Sequence, residues 1–323
     1  MFISNYVRIL TIFRICEIMK KIAVIGANGY IARNLIYCLK NNYPECELYL
    51  YGREIASVDG YSSYIQVDMT DKESVSKVNV SCDIIFMLVG RTGSANGFKD
   101  YDSFIDINER TLLNLLNECQ SKGSHAKIIY PSTRLVYKGK QGLQLEYDEK
   151  ELKTVYAVNK FACEQYLMQF QHVFGIQYCI FRIGIPYGTL VPGASSYGTA
   201  EFMLTKASRK ENITLYGDGS VRRTITYIAD LCKTLIEGAF SDKCTNDVFN
   251  IGGEDYSLKE MAELIATKFR VNIEYIPWPF VAEKIESGDT VFSSKKLESV
   301  LGVLTNSRFK DWVNNINSFR RNE

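Results

Sequence analysis

A doubly wound α/β fold, with a parallel sheet covered on both faces by helices and a smaller α/β C-terminal lobe, is the architecture this sequence predicts. Two observations carry that expectation. From Lys21 onward, short β-branched or aromatic runs alternate with longer helical stretches, and a glycine-rich turn joins the first run to the first helical stretch. Beyond Gly184 the alternation gives way to Pro186-Tyr187-Gly188 and Pro192-Gly193, followed by scattered elements.

The runs expected as strands are 21–26, 47–51, 64–67, 83–89, 127–131 and 176–183, and the helical stretches include 31–41, 103–122 and 154–174. Further on, 199–210, 257–269 and a closing segment from 306 read as helices, and 248–251 as a strand that returns to the main sheet. The sheet domain is therefore expected over 19–185, with return segments near 224–252, and the second lobe mainly over 186–323. Residues 1–18 are apolar but interrupted by Arg8, Arg14 and Glu17, without the ordered basic region, apolar core and small-residue cleavage site of a signal peptide. They read as an upstream start or a disordered extension, with the folded protein beginning near Met19.

With 323 residues the chain is long enough to bury a sizeable core, and 38 Lys+Arg against 37 Asp+Glu leave a net charge of +1. No global field draws it to nucleic acid or an anionic membrane, so neither is an expected partner. No apolar run approaches the ~18 residues of a membrane span. Nine scattered cysteines without a CxxC pair suggest small buried hydrophobes in a reducing cytoplasm. His125 and His172 are the only histidines and show no metal-ligand spacing, so no metal is expected.

The first strand runs into Gly26-Ala27-Asn28-Gly29-Tyr30-Ile31-Ala32. Such a strand-to-helix turn lets backbone approach a pyrophosphate, whose charge then meets the free N–H groups of the helix N-terminus. Where NAD-binding chains of this kind place a carboxylate for the ribose 2′-hydroxyl, the second strand here ends Tyr51-Gly52-Arg53. Arg53 offers a guanidinium to a 2′-phosphate, or is a solvated surface residue; NADP(H) is therefore the favoured cofactor and NAD(H) the alternative. Asp68 and Met69, after the third strand, are placed to meet the adenine edge.

Tyr156 and Lys160 lie four apart on an expected helix, so both project from one face. An ammonium beside a phenol favours the phenolate and makes tyrosine a usable acid or base. Pro131-Ser132-Thr133-Arg134 ends the fifth strand, where a third member of such a site belongs. Together with Asn108-Glu109-Arg110, Arg182-Ile183-Gly184-Ile185-Pro186-Tyr187-Gly188 and Gly217-Asp218-Gly219-Ser220-Val221-Arg222-Arg223, these motifs stand in a definite order. In that order the sequence, from Met19 to its end, resembles the extended short-chain dehydrogenase/reductase superfamily, in its nucleotide-sugar epimerase, dehydratase and ketoreductase branch.

The resemblance implies a Rossmann-type dinucleotide-binding domain, a nucleotide-sugar-binding lobe and a homodimer joined through the helices that carry Ser103 and Tyr156. Phe161, Leu167 and Met168, with Leu112, Leu115 and Leu116, give those helices apolar positions beyond one sheet-facing stripe. Tyr156 would exchange the proton, Lys160 would lower its pKa and hold the nicotinamide ribose, and Thr133 would hydrogen-bond the substrate oxygen. Gly26, Asn28, Gly29, Tyr30, Ile31, Arg53, Asp68, Met69, Val89, Gly90, Asn108 and Pro186 would complete the cofactor site. Arg134, Arg91, Tyr187 and Arg223 would face the substrate, a nucleotide-diphosphate sugar, with Arg222 as the alternative to Arg223 for clamping its diphosphate. A loop-stabilising role accounts equally well for Arg91.

Two departures bear on function. Dehydratases of this branch carry acid directly after the threonine, where this chain has Arg134-Leu135, so elimination is disfavoured. A second diphosphate-binding arginine often precedes a C-terminal Gly-Asp; here the segment is Glu286-Ser287-Gly288-Asp289, so the clamp is expected either to be weaker or to use Lys284 or Lys295. The leading expectation is an NAD(P)H-dependent reductase of an NDP-4-keto-6-deoxyhexose, an activity of surface polysaccharide biosynthesis, and the alternative is an NAD-dependent nucleotide-sugar 4-epimerase.

Overall fold

The structure, a computed structural model, describes residues 19–316; the extension expected over 1–18 lies outside the described residues. Strands β1 (Lys21–Ile25), β2 (Glu47–Gly52), β3 (Tyr64–Gln66) and β4 (Ile84–Met87) are joined to β5 (Lys127–Thr133) and β7 (Tyr178–Ile183) in one sheet. A seventh strand, β11 (Asp247–Asn250), is the returning strand expected near 248–251 and pairs with β7. The order β11-β7-β5-β4-β1-β2-β3 is parallel throughout. The strand order reverses between β1 and β4, and the crevice at the carboxyl ends of those two strands is where a doubly wound sheet receives its ligand.

The strands form because their central residues are apolar on both faces: every residue of β4 is apolar and buried, as are Ile128, Ile129 and Tyr130 of β5. One face packs on α1 (Tyr30–Asn42) and on α7 (Ile228–Phe240), a helix the sequence reading did not place, through Leu35, Ile36, Leu231 and Leu235. The other packs on α4 (Thr111–Ser121) and α5 (Val155–Phe174) through Leu112, Leu115, Leu116 and Leu167. The helix expected over 103–122 is not continuous. It divides into α3 (Tyr101–Ile105), a π-helical turn (Asp106–Arg110) and α4. That wide turn sets Asn108 against the end of β4, a placement in keeping with the occurrence of π turns at functional sites.

The remaining segments form three small sheets. The residues β6 (Leu143–Gln144), β8 (Ile185–Tyr187), β9 (Ile213–Tyr216), β10 (Arg222–Tyr227), β12 (Glu254–Ser257), β13 (Ile273–Ile276) and β14 (Val291–Phe292) pair as β12-β10-β8, β13-β9 and β14-β6. Helices α6 (Thr199–Ser208) and α8 (Leu258–Phe269) close the lobe's core. Of the eight described cysteines all but Cys46 are buried. Among the described residues no helix is long and apolar enough to cross a membrane, and no cluster of side chains could hold a metal ion.

Candidate active site

A cleft of about 520 Å³ opens at the switch point, lined by Gly26, Asn28, Gly29, Arg53, Asp68 and Val89 among others. Gly26 sits at φ +86°, and a Cβ there would lie 3.0 Å from Leu88 C and Val89 N, so the turn can neither adopt this conformation nor pass this close with a larger residue. The first turn of α1 has no side-chain cap, which leaves its N-terminus to an anionic ligand. Asn28 donates to the Ala56 carbonyl at 3.1 Å and accepts from Val58 N at 3.0 Å, tying the phosphate turn to the loop after β2.

Arg53 and, next to it, Glu54 both line the cleft. The sequence reading left Glu54 out. An added Cβ at Gly52 would meet the Tyr64 hydroxyl at 2.5 Å, so a larger residue there would have to displace that side chain. Asp68 accepts from Thr70 N and Oγ1 at 2.9 and 2.7 Å, and Asn114 donates to the carbonyl of Met69 at 2.9 Å, so the turn after β3 is fixed from beneath.

Five expected cofactor residues, Tyr30, Ile31, Asn108, Lys160 and Pro186, do not line this cleft. Asn108 acts through the backbone: its carboxamide accepts from Arg91 N at 2.8 Å and donates to Arg91 O at 3.1 Å, holding the Gly90-Arg91 segment in place. Tyr30 donates its hydroxyl to the Gly188 carbonyl at 2.7 Å, joining α1 to the loop after β8. Ile31 packs on the core, and Pro186 lies in β8 with its carbonyl accepting from Ser196 Oγ at 3.2 Å. Arg91 lines the cofactor cleft, pairs with Asp100 at 2.7 Å and lies over the Phe104 ring, so its side chain stabilises this loop.

The chemistry-bearing residues meet where β5 ends. Thr133 is the last residue of β5, and its hydroxyl accepts from Leu135 N at 3.3 Å while lying within hydrogen-bond reach of Tyr156. Thr154 caps α5 by accepting from Ala157 N at 3.0 Å, which starts the helix so that Tyr156 falls in its first turn and Lys160 one turn on. Burial pushes the Tyr156 phenol up to about 12, against the opposing pull of Thr133 and of the Arg134 charge. Lys160 is 5% exposed, with Nζ 4.0 Å from the centre of the Tyr130 ring, and burial lowers its pKa to about 8. An ammonium satisfied by an aromatic face retains donors for ligand hydroxyls, which fits a ribose there.

A buried ion pair missed in the sequence anchors this arrangement. Arg182 donates bidentately to Glu164, at 3.0 and 2.6 Å, and Ser132 Oγ donates to the same carboxylate. A charged residue inside the apolar run of β7 and an acid four positions after Lys160 were its only signals.

Arg222 and Arg223 diverge. Arg222 faces outward to Asp255 and Glu260, whereas Arg223 is 1% exposed and pairs with Glu286 at 2.5 Å. Tyr187 requires correction as a substrate residue. It is buried in the lobe's aromatic cluster with Phe309 and Trp312, ring centres 5.0 Å away, because β8 turns that side chain into the lobe's core.

A parallel doubly wound sheet with a glycine turn at its switch point defines a dinucleotide-binding class of protein. The sequence profile described as the NAD dependent epimerase/dehydratase family matches residues 22–252, and the chain belongs to that family. It is similar to a putative UDP-glucose 4-epimerase of Methanocaldococcus jannaschii, 24% identical with 76% of this chain and 81% of that one covered. It is also similar to a GDP-6-deoxy-D-mannose reductase of Pseudomonas aeruginosa, 24% identical with 68% and 74% covered. The fold matches that of the UDP-glucuronic acid 4-epimerase from Bacillus cereus, solved with UDP-glucuronic acid and NAD, at a TM-score of 0.78 and 22% identity over 91% of this chain and 96% of that one.

Proposed function

We propose that this protein transfers hydride at C4 of a nucleotide-diphosphate sugar, in the direction of reducing an NDP-4-keto-6-deoxyhexose with NADPH. The observation that carries the reading is the Thr133 hydroxyl within reach of the Tyr156 phenol at the end of β5, with Lys160 one helical turn away. When bound, the nicotinamide supplies the hydride. Thr133 holds the carbonyl oxygen, and Tyr156 gives its phenolic proton to that oxygen as the ketone becomes an alcohol. The nearby charge of Arg134 favours the phenolate left behind. The direction rests on Arg134, which replaces the acid needed for elimination, and on Arg53 at the cleft.

A second reading, an NAD-dependent nucleotide-sugar 4-epimerase, draws on Glu54. That carboxylate lines the cleft beside Arg53, held by Asn28 Nδ2 at 3.3 Å, and suits a ribose with free hydroxyls better than a 2′-phosphate. The test is to denature the purified protein, identify the dinucleotide released, and follow NADPH oxidation with 4-keto-6-deoxy sugar nucleotides. Net NADPH consumption supports the reductase; stoichiometric NAD with no net consumption supports the epimerase. In either case Tyr156→Phe is expected to keep cofactor binding and to lower turnover by roughly two to four orders of magnitude. Near-normal turnover in that variant would refute the assignment of Tyr156.

A further inference from the structure

The Arg223 guanidinium, the expected diphosphate clamp, is already occupied. Nη2 lies 2.5 Å from the Glu286 carboxylate, and Nη1 donates to the carbonyls of Gly288 at 2.6 Å and Arg222 at 2.8 Å. Glu286 is held in turn: its Oε1 also accepts from Gly288 N at 2.9 Å, and its carbonyl accepts from Lys153 Nζ at 2.9 Å. A phosphate reaching Arg223 would have to displace a carboxylate from a cation with 1% exposure.

Arg134 is in the opposite condition. It follows Thr133 directly, is half-buried, and makes one side-chain hydrogen bond, from Nη1 to Thr290 Oγ1 at 3.2 Å. It forms no ion pair with a carboxylate among the described residues, and the charges acting on it are Arg223 and Glu286, with the Tyr156 phenol nearby. A guanidinium presents five donors, and burial with a single neutral partner leaves most of its charge uncompensated. Of the two expected substrate arginines at this junction, it is the one whose donors remain available to a ligand.

We propose that Arg134 receives the oxyanion of the substrate, and that the Arg223–Glu286 pair is a closed strut behind it. This rests on the nucleotide-sugar reading above. A diphosphate and a carboxylate on the sugar ring present the same chemistry to a guanidinium, two oxygens at bidentate spacing, and the two are separable by experiment.

Binding of UDP, CDP, GDP and dTDP to the full-length protein is measured by calorimetry, alongside the matching nucleosides. If the oxyanion is the diphosphate, Arg134→Gln weakens the preferred nucleoside diphosphate by about tenfold to a hundredfold and leaves the nucleoside unchanged. If it is a ring carboxylate, which a 6-deoxyhexose lacks and which therefore favours the epimerase reading over the reductase, the diphosphate binds the variant normally, and a preference for UDP-glucuronate over UDP-glucose, or for the equivalent pair on another base, disappears. Arg134→Lys, which keeps the charge but not the fork, gives a smaller loss of the same kind and serves if the glutamine variant does not fold. Diphosphate affinity and uronate preference both unchanged in the folded variants overturn the proposal. A wild-type protein that binds none of the four diphosphates removes the nucleotide-sugar reading itself, and this proposal with it.

Discussion

At 5% exposure and with an aromatic ring as its nearest partner, Lys160 is held in a site that disfavours its charge, and its pKa falls to about 8. The unfolded chain keeps an ordinary lysine value near ~10.4. Between those values the unfolded state binds a proton that the folded state has lost, so stability rises with pH across that window; below it the full penalty stands. The penalty is on the order of 3 kcal/mol at ~1.4 kcal/mol per unit. Lys160→Met is therefore expected to be inactive yet more stable than the wild type at pH 7, with the gap closing towards pH 10. Urea unfolding of both proteins at the two pH values measures it, and a variant less stable at pH 7 would show that Lys160 is compensated. Arg53 poses a separate question, because Tyr64 occupies the space an acid at position 52 would need. Arg53→Ala is expected to raise the KM for NADPH by about tenfold to a hundredfold with little change for NADH. Equal use of both dinucleotides by the wild type would remove the main argument for the reductase.

At the scale of elements, α5 is pinned to the sheet by Glu164, which reaches Arg182 on β7 and Ser132 on β5 one turn beyond Lys160. Removing one partner of a buried pair leaves the other uncompensated, at roughly 3–5 kcal/mol. Glu164→Gln should accordingly lower the denaturation midpoint strongly, whereas an Arg222→Gln change at the exposed pair with Asp255 should shift it by well under ~1 kcal/mol. Equal effects in thermal or urea melts would refute this ranking. The same contrast explains what was legible in the sequence. Strands β1, β4, β5 and β7 announce themselves because burial on both faces demands predominantly apolar runs, and Tyr156 with Lys160 because helical spacing puts them on one face. The π turn at Asp106–Arg110 is fixed by what Asn108 must reach, and the pairing of Arg223 with Glu286 spans 63 residues; neither leaves a local signal. Helix α7 did leave one, in Ile228, Leu231, Cys232, Leu235, Ile236 and Ala239, within a segment expected only as a return to the sheet domain.

For the molecule as a whole, the open question is what covers the outer surface of α3 and α5, which pack side by side. The apolar positions counted in the sequence overstate that surface, because Leu112, Leu115, Leu116 and Leu167 all lie in the core beneath the sheet. The apolar side chains that remain outside are others: Tyr101 at 54% exposure, Val158 at 45% and Ile105 at 39%, with Phe161 and Met168 half-buried. Each is unremarkable singly, but on two adjacent helices they suit an isologous contact in which α3 and α5 meet their own copies about a twofold axis. A homodimer at micromolar concentration is therefore expected in sedimentation equilibrium. The double change Ile105→Lys with Val158→Lys should give a monomer with an unchanged circular dichroism spectrum, since charges at a twofold contact repel their own symmetry mates. A wild-type monomer, or a dimer that survives both lysines, would place the contact elsewhere.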